Sequence, residues 1–265
     1  HRQHDRCGVE HDPVRLEGVF MINEKAVSEA IGFILILGIV LTGIGLVTLY
    51  GYPVLIKEQS NADVRNMERA MIVIQNDMKS LCFKNVPYKE ATLQVSGGTL
   101  EVIDSSDSGS MFRIAGGSLD VGFSPGALVY RSDRGTEVIT LENGAVMTRQ
   151  ADATGSAMLA EPRWFYDGPT KTFVVYLMNI TADERMAKSG MATVRMSLAS
   201  TNSQQYDPVG DITVQYDKNV HNDLSVAWEN YLTGSLKMGD SGGAYTLPGV
   251  TKLVIKEYKI RILGI

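Results

Sequence analysis

The chain has 265 residues, with 8 Pro, 26 Gly, 2 Cys and 4 His, and a formal net charge of -5. At 44% hydrophobic and 21% charged, the composition is neither disordered nor collagen-like, and it is too polar for a polytopic membrane protein. The mildly acidic balance argues against a nucleic-acid binder, which would carry a basic patch, and the length suits one or two compact domains.

The first methionine is Met21. The residues before it hold His1, His4, Cys7 and His11 and show no apolar period. Residues 1–20 therefore read either as an upstream extension of the reading frame or as a polar tail. Past residue 26, the remaining His and Cys are His221 and Cys82. A His/Cys metal centre needs several ligands and a disulfide needs two thiols. The expectation is a fold held by packing and sheet pairing, with no metal and no cofactor.

From Ala30 to Ile56 the chain runs 27 residues without a charge. Crossing a bilayer as a helix takes about 20 apolar residues, whereas a secretory signal core is roughly 7–15 long and ends in a small-residue cleavage site. No such site follows, so residues 27–56 are predicted to be a retained transmembrane helix. Lys25 on the N-terminal flank favours a cytoplasmic N-terminus and an extracellular remainder, although Lys57 stands on the far side.

Glu29 lies at the helix start. A carboxylate at mid-bilayer costs about 2.5–3.5 kcal/mol on insertion scales, but here it can reach the headgroups, and a helix N-terminus favours its charge. Gly32, Gly38, Gly43, Gly45 and Gly51 punctuate the run. Gly38 and Thr42 form a small-xxx-small pair of the kind that lets helices approach closely in lipid, in a class of helix that is generally rich in glycine. Pro53 is expected to kink or interrupt the helix.

In residues 57–83, Val64, Met67, Met71, Ile74, Met78 and Leu81 recur at steps of three and four, with Arg65, Glu68, Arg69, Gln75, Asp77 and Lys79 filling most of the other face. This predicts an amphipathic juxtamembrane helix, laid against a globular head or against other helices. Cys82 reads as a plain buried thiol. Together residues 27–83 could form one helix of roughly 85 Å at 1.5 Å per residue.

After Pro87 the period becomes two. Strands are predicted at 91–96, 99–104, 110–115, 118–123, 126–131, 136–141, 145–150, 157–165, 172–180, 191–199, 210–216 and 250–263. Gly97-Gly98 and Gly116-Gly117 read as hairpin turns, Asn143-Gly144 as a type I′ turn and Asp167-Gly168-Pro169 as another turn. The last strand is expected to be central and packed on the juxtamembrane helix. His221–Thr233 places Leu224, Ala227, Trp228 and Tyr231 on one face of a short helix, expected to cover a sheet edge. The predicted fold class is α+β: a long N-terminal transmembrane helix extended into a juxtamembrane helix, then a β-sandwich-like antiparallel head over residues 84–265.

Gly239-Asp240-Ser241-Gly242-Gly243 has the letters of a serine-protease nucleophile loop. A nucleophilic serine needs a general base, usually a His oriented by a carboxylate, and the one candidate is His221, twenty residues upstream in a predicted helix. Ordinary turn chemistry explains the string, so the chain is not read as an enzyme. Asp104-Ser105-Ser106-Asp107-Ser108 lacks the Gly and the terminal Glu of a calcium loop. Asn179-Ile180-Thr181 is an N-glycosylation sequon.

The string Lys25-Ala26-Val27-Ser28-Glu29-Ala30-Ile31-Gly32-Phe33, followed by the apolar run, resembles the class III signal of archaeal type IV pilins and archaellin-like proteins. Asn66-Met67-Glu68-Arg69-Ala70 and Val86-Pro87-Tyr88-Lys89-Glu90-Ala91-Thr92-Leu93 are similar to a group of archaeal pilin-like proteins with a β-rich C-terminal region. Many members carry Pro where this chain has Glu29, and Glu is a familiar variant. The resemblance implies cleavage by a prepilin peptidase between Ala26 and Val27. The leader would be 1–26, and the remaining 239 residues would carry a net charge of -4.

The resemblance further implies assembly through the helix, with Glu29, Gly32, Gly38 and Thr42 as contact residues. Glu29 would pair with the α-amino group of a neighbouring Val27. It implies the chain itself, an assembly ATPase and a membrane platform protein as partners, and makes Asn179 a glycosylation candidate, since such filaments are commonly glycosylated. The alternative reading is a single-pass, membrane-anchored extracellular binding or adhesion protein that does not polymerise.

Overall fold

The computed structural model describes residues 18–84, 86–207 and 210–265, with side chains from residue 28 onward. His1, His4, Cys7 and His11 lie outside the described residues. The chain divides into two compact units, one reaching to Ile56 and one beginning at Lys57.

The first unit holds α1 (Gly18–Leu46), a π-helical turn (Val47–Gly51) and the start of α2 (Tyr52–Lys84). None of residues 28–56 is buried, and Ile36, Ile39 and Leu49 are 65%, 72% and 70% exposed. A helix that is apolar all round and uncovered is built for a medium other than water. This one is long and apolar enough to cross a membrane.

Pro53 does not break it, contrary to the expectation of an interruption. A proline ring lacks an N–H and collides with the carbonyl four residues back. Here the ladder widens one turn earlier, where the Tyr52 N–H donates to the Val47 carbonyl. Such π turns are a recognised way to absorb this misfit.

The second unit contains the rest of α2 and, among the described residues, fourteen strands: β1 (Tyr88–Ile103), β2 (Met111–Gly116), β3 (Leu119–Phe123), β4 (Ala127–Ser132), β5 (Glu137–Glu142), β6 (Ala145–Gln150), β7 (Ser156–Ala160), β8 (Phe165–Asp167), β9 (Thr172–Ala182), β10 (Met186–Tyr206), β11 (Gly210–Asp217), β12 (Gly239–Asp240), β13 (Ala244–Val250) and β14 (Lys252–Gly264). A short α3 (Ser225–Asn230) passes directly into a π-helical turn at Tyr231–Ser235. Nine strands form one sheet in the order β7-β6-β5-β4-β1-β10-β14-β9-β8, and five form another in the order β12-β13-β11-β2-β3.

The larger sheet curls back on itself. Beyond its short pairing with β8, the outer side of β9 bonds to the opposite half of the sheet. The Met178 N–H donates to Asn143 Oδ1, the Ile180 N–H to the Pro125 carbonyl and the Ala182 N–H to Asp104 Oδ1. The backbone groups of β9 are thereby satisfied without a full neighbouring strand.

From Lys57 the helix packs on this sheet. Val64, Met67, Met71, Ile74, Met78 and Leu81 are all buried, each 0–8% exposed. At the helix end, Phe83 meets Tyr176 of β9 and Tyr258 of β14 edge-on. The five-stranded sheet joins the same core through a cluster in which Phe112 contacts Trp164 and Trp228, and Trp164 contacts Phe173.

Several expectations need correction. The head is not wholly antiparallel: β9 and β14 run parallel, from Lys252 opposite Thr172 to Ile262 opposite Ala182. The long connection between them, containing four other strands and α3, makes a parallel pairing feasible. β14 is interior, as expected, between β10 and β9.

Gly97-Gly98 is no hairpin. β1 continues through it with a register shift between Val95 and Leu100. Gly97 has φ +59°, and a Cβ on Gly98 would overlap the Arg131 carbonyl and the Tyr130 ring. The pair is a bulge that lets one strand pass beneath the helix. The predicted strand 157–165 is split at Glu161–Trp164, where Pro162 ends the ladder and the Trp164 indole turns inward to donate to the Tyr176 carbonyl. The hairpins at 116–118 and 143–144 and the turn after Asp167 are present.

Replacing Gly98 with Ala forces a methyl into backbone and ring. The expected loss is about 1–3 kcal/mol of stability, read as a lower denaturant midpoint with an unchanged slope.

Candidate assembly helix and the buried turn of the head

Each residue singled out from the sequence has a definite place. Lys25, Ala26 and Val27 fall within α1, but their side chains lie outside the described residues. Glu29 is exposed on the next turn and is the sole charged residue between 28 and 56. Gly38 and Thr42 are exposed one helical turn apart, and the Thr42 hydroxyl donates to the Gly38 carbonyl at 2.7 Å. The hydroxyl is therefore satisfied inside the helix and does not need a polar surrounding. Thr48 does the same with the Ile44 carbonyl at 2.8 Å.

Gly38, Thr42 and Gly45 stand at i, i+4 and i+7 and so share one face. Gly32 lies off it. A Cβ added at Gly32, Gly38, Gly43 or Gly45 would meet nothing within 4 Å. Among the described residues, no contact explains those four glycines.

In the head, Asn179 is half-buried in β9. Its Nδ2 donates to the Ser124 carbonyl at 3.0 Å and its Oδ1 is enclosed. A glycan on Nδ2 would stand where that carbonyl stands. Ser241 sits in the turn between β12 and β13. Its N–H donates to the Ala244 carbonyl, the Gly243 N–H donates to Asp240 Oδ1, and Gly242 and Gly243 both have positive φ. The protease-like string is thus a hairpin turn, with glycines where φ is positive. His221 is exposed in a separate loop closed by the Asn219–Asn222 bridge. Among the described residues, no group of three His, Cys, Asp or Glu side chains is placed to hold a metal.

One group escaped the sequence reading. Glu142 is 3% exposed, the one buried carboxylate among the described residues. It receives the Ser110 hydroxyl at 2.8 Å, the Tyr216 hydroxyl at 3.1 Å and the Trp228 indole N–H at 3.1 Å. Burial raises its pKa, partly offset by these three donors. Burial and the neighbouring carboxylate push the Tyr216 hydroxyl up as well. A Glu at the end of a strand beside an Asn-Gly turn looks solvent-facing; nothing in its local sequence signals that three distant donors converge on it.

The linkage follows from the direction of the shift. A carboxyl whose folded pKa lies above its unfolded one contributes stability that is complete below the ordinary carboxylate range and is lost as pH rises through the folded value. Glu142→Gln keeps the shape and removes the titration. As pH rises above the ordinary carboxylate range, the variant's thermal midpoint is expected to fall less than that of the unaltered chain.

No curated protein and no solved structure matches this chain. A family model described as "Family of unknown function (DUF7289)" matches residues 25–261, taking in Lys25, the whole apolar helix and nearly all of the head. The chain belongs to the DUF7289 family.

Proposed function

We propose that the chain is a structural subunit of a surface filament of the archaeal type IV pilin kind, major or minor, assembled through its N-terminal helix. The observation that carries this reading is the helix over 28–56. It is apolar on every side, uncovered, marked by one carboxylate at its start, and set with glycines that no contact among the described residues requires. The family match begins at Lys25, so the helix and the head belong to one family unit.

In this reading a prepilin peptidase cuts between Ala26 and Val27 on the cytoplasmic side. The freed α-amino group of Val27 pairs with Glu29 of a neighbouring copy. An assembly ATPase and a membrane platform protein draw the helices out of the bilayer, and the helices bundle through the Gly38–Thr42–Gly45 face and Gly32. Close backbone approach is what small residues supply in an apolar medium, where no hydrophobic force drives helices together. The head, sandwich-like in that two sheets share one core, lies outside the cell and forms the filament surface. The work is assembly and attachment, with no catalysis and no nucleic-acid partner.

The second reading keeps the chain as a single-pass anchor displaying a binding head. What favours it is an open cleft of about 520 Å³, lined by Glu161, Phe165, Tyr166, Tyr231 and Lys237.

N-terminal sequencing of the protein from native membranes, with and without the prepilin peptidase, separates the two. A Val27 start that depends on the peptidase, with recovery in sheared filaments, is the expected result; an uncut N-terminus overturns the filament reading. In the cut form, Glu29→Gln should lower filament incorporation by roughly tenfold while leaving the membrane-bound pool intact.

A further inference from the structure

Among the described residues, the pairing of β10 leaves one long strand edge without a partner strand. β10 is 21 residues long. β1 pairs with it along 186–197, beginning at Tyr88 opposite Ser197. β14 pairs with the other side out to Tyr206 opposite Leu253. From Ala199 to Tyr206, therefore, β10 has β14 on one side and no described strand on the other. Residues 199–205 are exposed on both faces. The segment reads Ala-Ser-Thr-Asn-Ser-Gln-Gln-Tyr, with no charge, no Pro and no Gly.

An edge strand presents unpaired N–H and C=O groups, and proteins ordinarily blunt it with charge, proline, shortness or a cover. The other edges among the described residues follow that rule. β12 and β8 are two and three residues long. β7 is covered by α3, whose Ala227 N–H donates to Ser156 Oγ. β3 carries the Arg113–Asp120 ion pair. The unpaired side of β1 over Tyr88–Val95 carries Lys89 and Glu90. The β10 edge has none of these devices.

We propose that the edge Ala199–Tyr206 pairs antiparallel with the same edge of a second copy of this chain, centred on Asn202. The occupant follows from the edge's own composition. Turned on itself, the segment sets Ser, Thr, Asn and Gln opposite Ser, Thr, Asn and Gln, with no like-charge contact along its length. Its flanks differ in sign: Arg195 precedes it, and Asp207 and Asp211 follow. Antiparallel pairing brings each copy's basic flank toward the other's acidic flank, which fixes the direction as well as the partner. The interface is isologous and closes at two copies. It uses the head alone and stands whether or not the helix assembles a filament.

The test is sedimentation of the full chain in detergent micelles, with hydrogen exchange over 199–206 as a second readout. The unaltered chain should form a dimer and gain amide protection in this segment as its concentration rises. Asn202→Lys should weaken the dimer by about tenfold or more, and so should Asn202→Glu. Mixing the Lys and Glu variants should restore it, because position 202 lies directly opposite its own counterpart and on the same face of the sheet. A chain that stays monomeric at all concentrations overturns the proposal. So does association that Asn202→Lys leaves unchanged, or a mixture that fails to recover.

Discussion

The head is tied together at one turn, Glu142-Asn143-Gly144. Its three residues each bind a different part of the molecule. Glu142 takes donors from Ser110, Tyr216 of the five-stranded sheet and Trp228 of α3. The Asn143 side chain accepts the Met178 N–H of β9, closing the curl of the nine-stranded sheet. The Gly144 carbonyl accepts Nε2 of Gln75, a buried side chain on the helix. Asn143 and Gly144 both have positive φ, as a two-residue type I′ turn requires. The conformation that makes the turn is the one that aims these three groups in three directions.

This arrangement explains why a carboxylate is tolerated in the core with no cation beside it. An isolated buried charge is costly. Three donors from three distant segments reduce that cost, partly offsetting the rise in pKa that burial causes. A polar network whose members come from distant segments is satisfied only when all of those segments are in place. It therefore rewards the complete fold over any partly assembled one. Gln75 acts similarly for the helix: its Nε2 also reaches the Glu161 carbonyl at 3.1 Å, so the helix is positioned by directional bonds as well as by its methionine-rich seam.

Periodicity made much of this legible in advance. The seam from Val64 to Leu81, the face of α3 and most strand positions follow from steps of 3.6 and 2, because burial of one face is what those periods record. The Asn143-Gly144 turn was legible from its dipeptide. What was not legible depends on partners far along the chain. Gly97-Gly98 has turn chemistry but serves a bulge, since the Tyr130 ring and Arg131 carbonyl press on it from β4. The parallel β9–β14 pair and the outer half of β10 depend on strand order, which local pattern does not encode. Glu142 reads as a surface residue until Ser110, Tyr216 and Trp228 are brought to it. For the candidate helix, the uncharged run and the glycines were plain in the sequence. That no contact among the described residues requires those glycines could only be seen in the structure.

The two surfaces left unsatisfied are of opposite kinds. The helix over 28–56 presents apolar side chains on a backbone bonded along the helix, a surface suited to lipid or to another such helix. The β10 edge presents backbone groups without partners and side chains already at home in water, so only another strand adds to it. A partner for one cannot substitute for the other. The two self-contacts proposed above are therefore set by different residues and would be sensitive to different conditions. As proposed, the helix contact would tolerate salt and fail in detergents that compete for its apolar face, whereas the edge contact would be indifferent to lipid and yield to a single added charge.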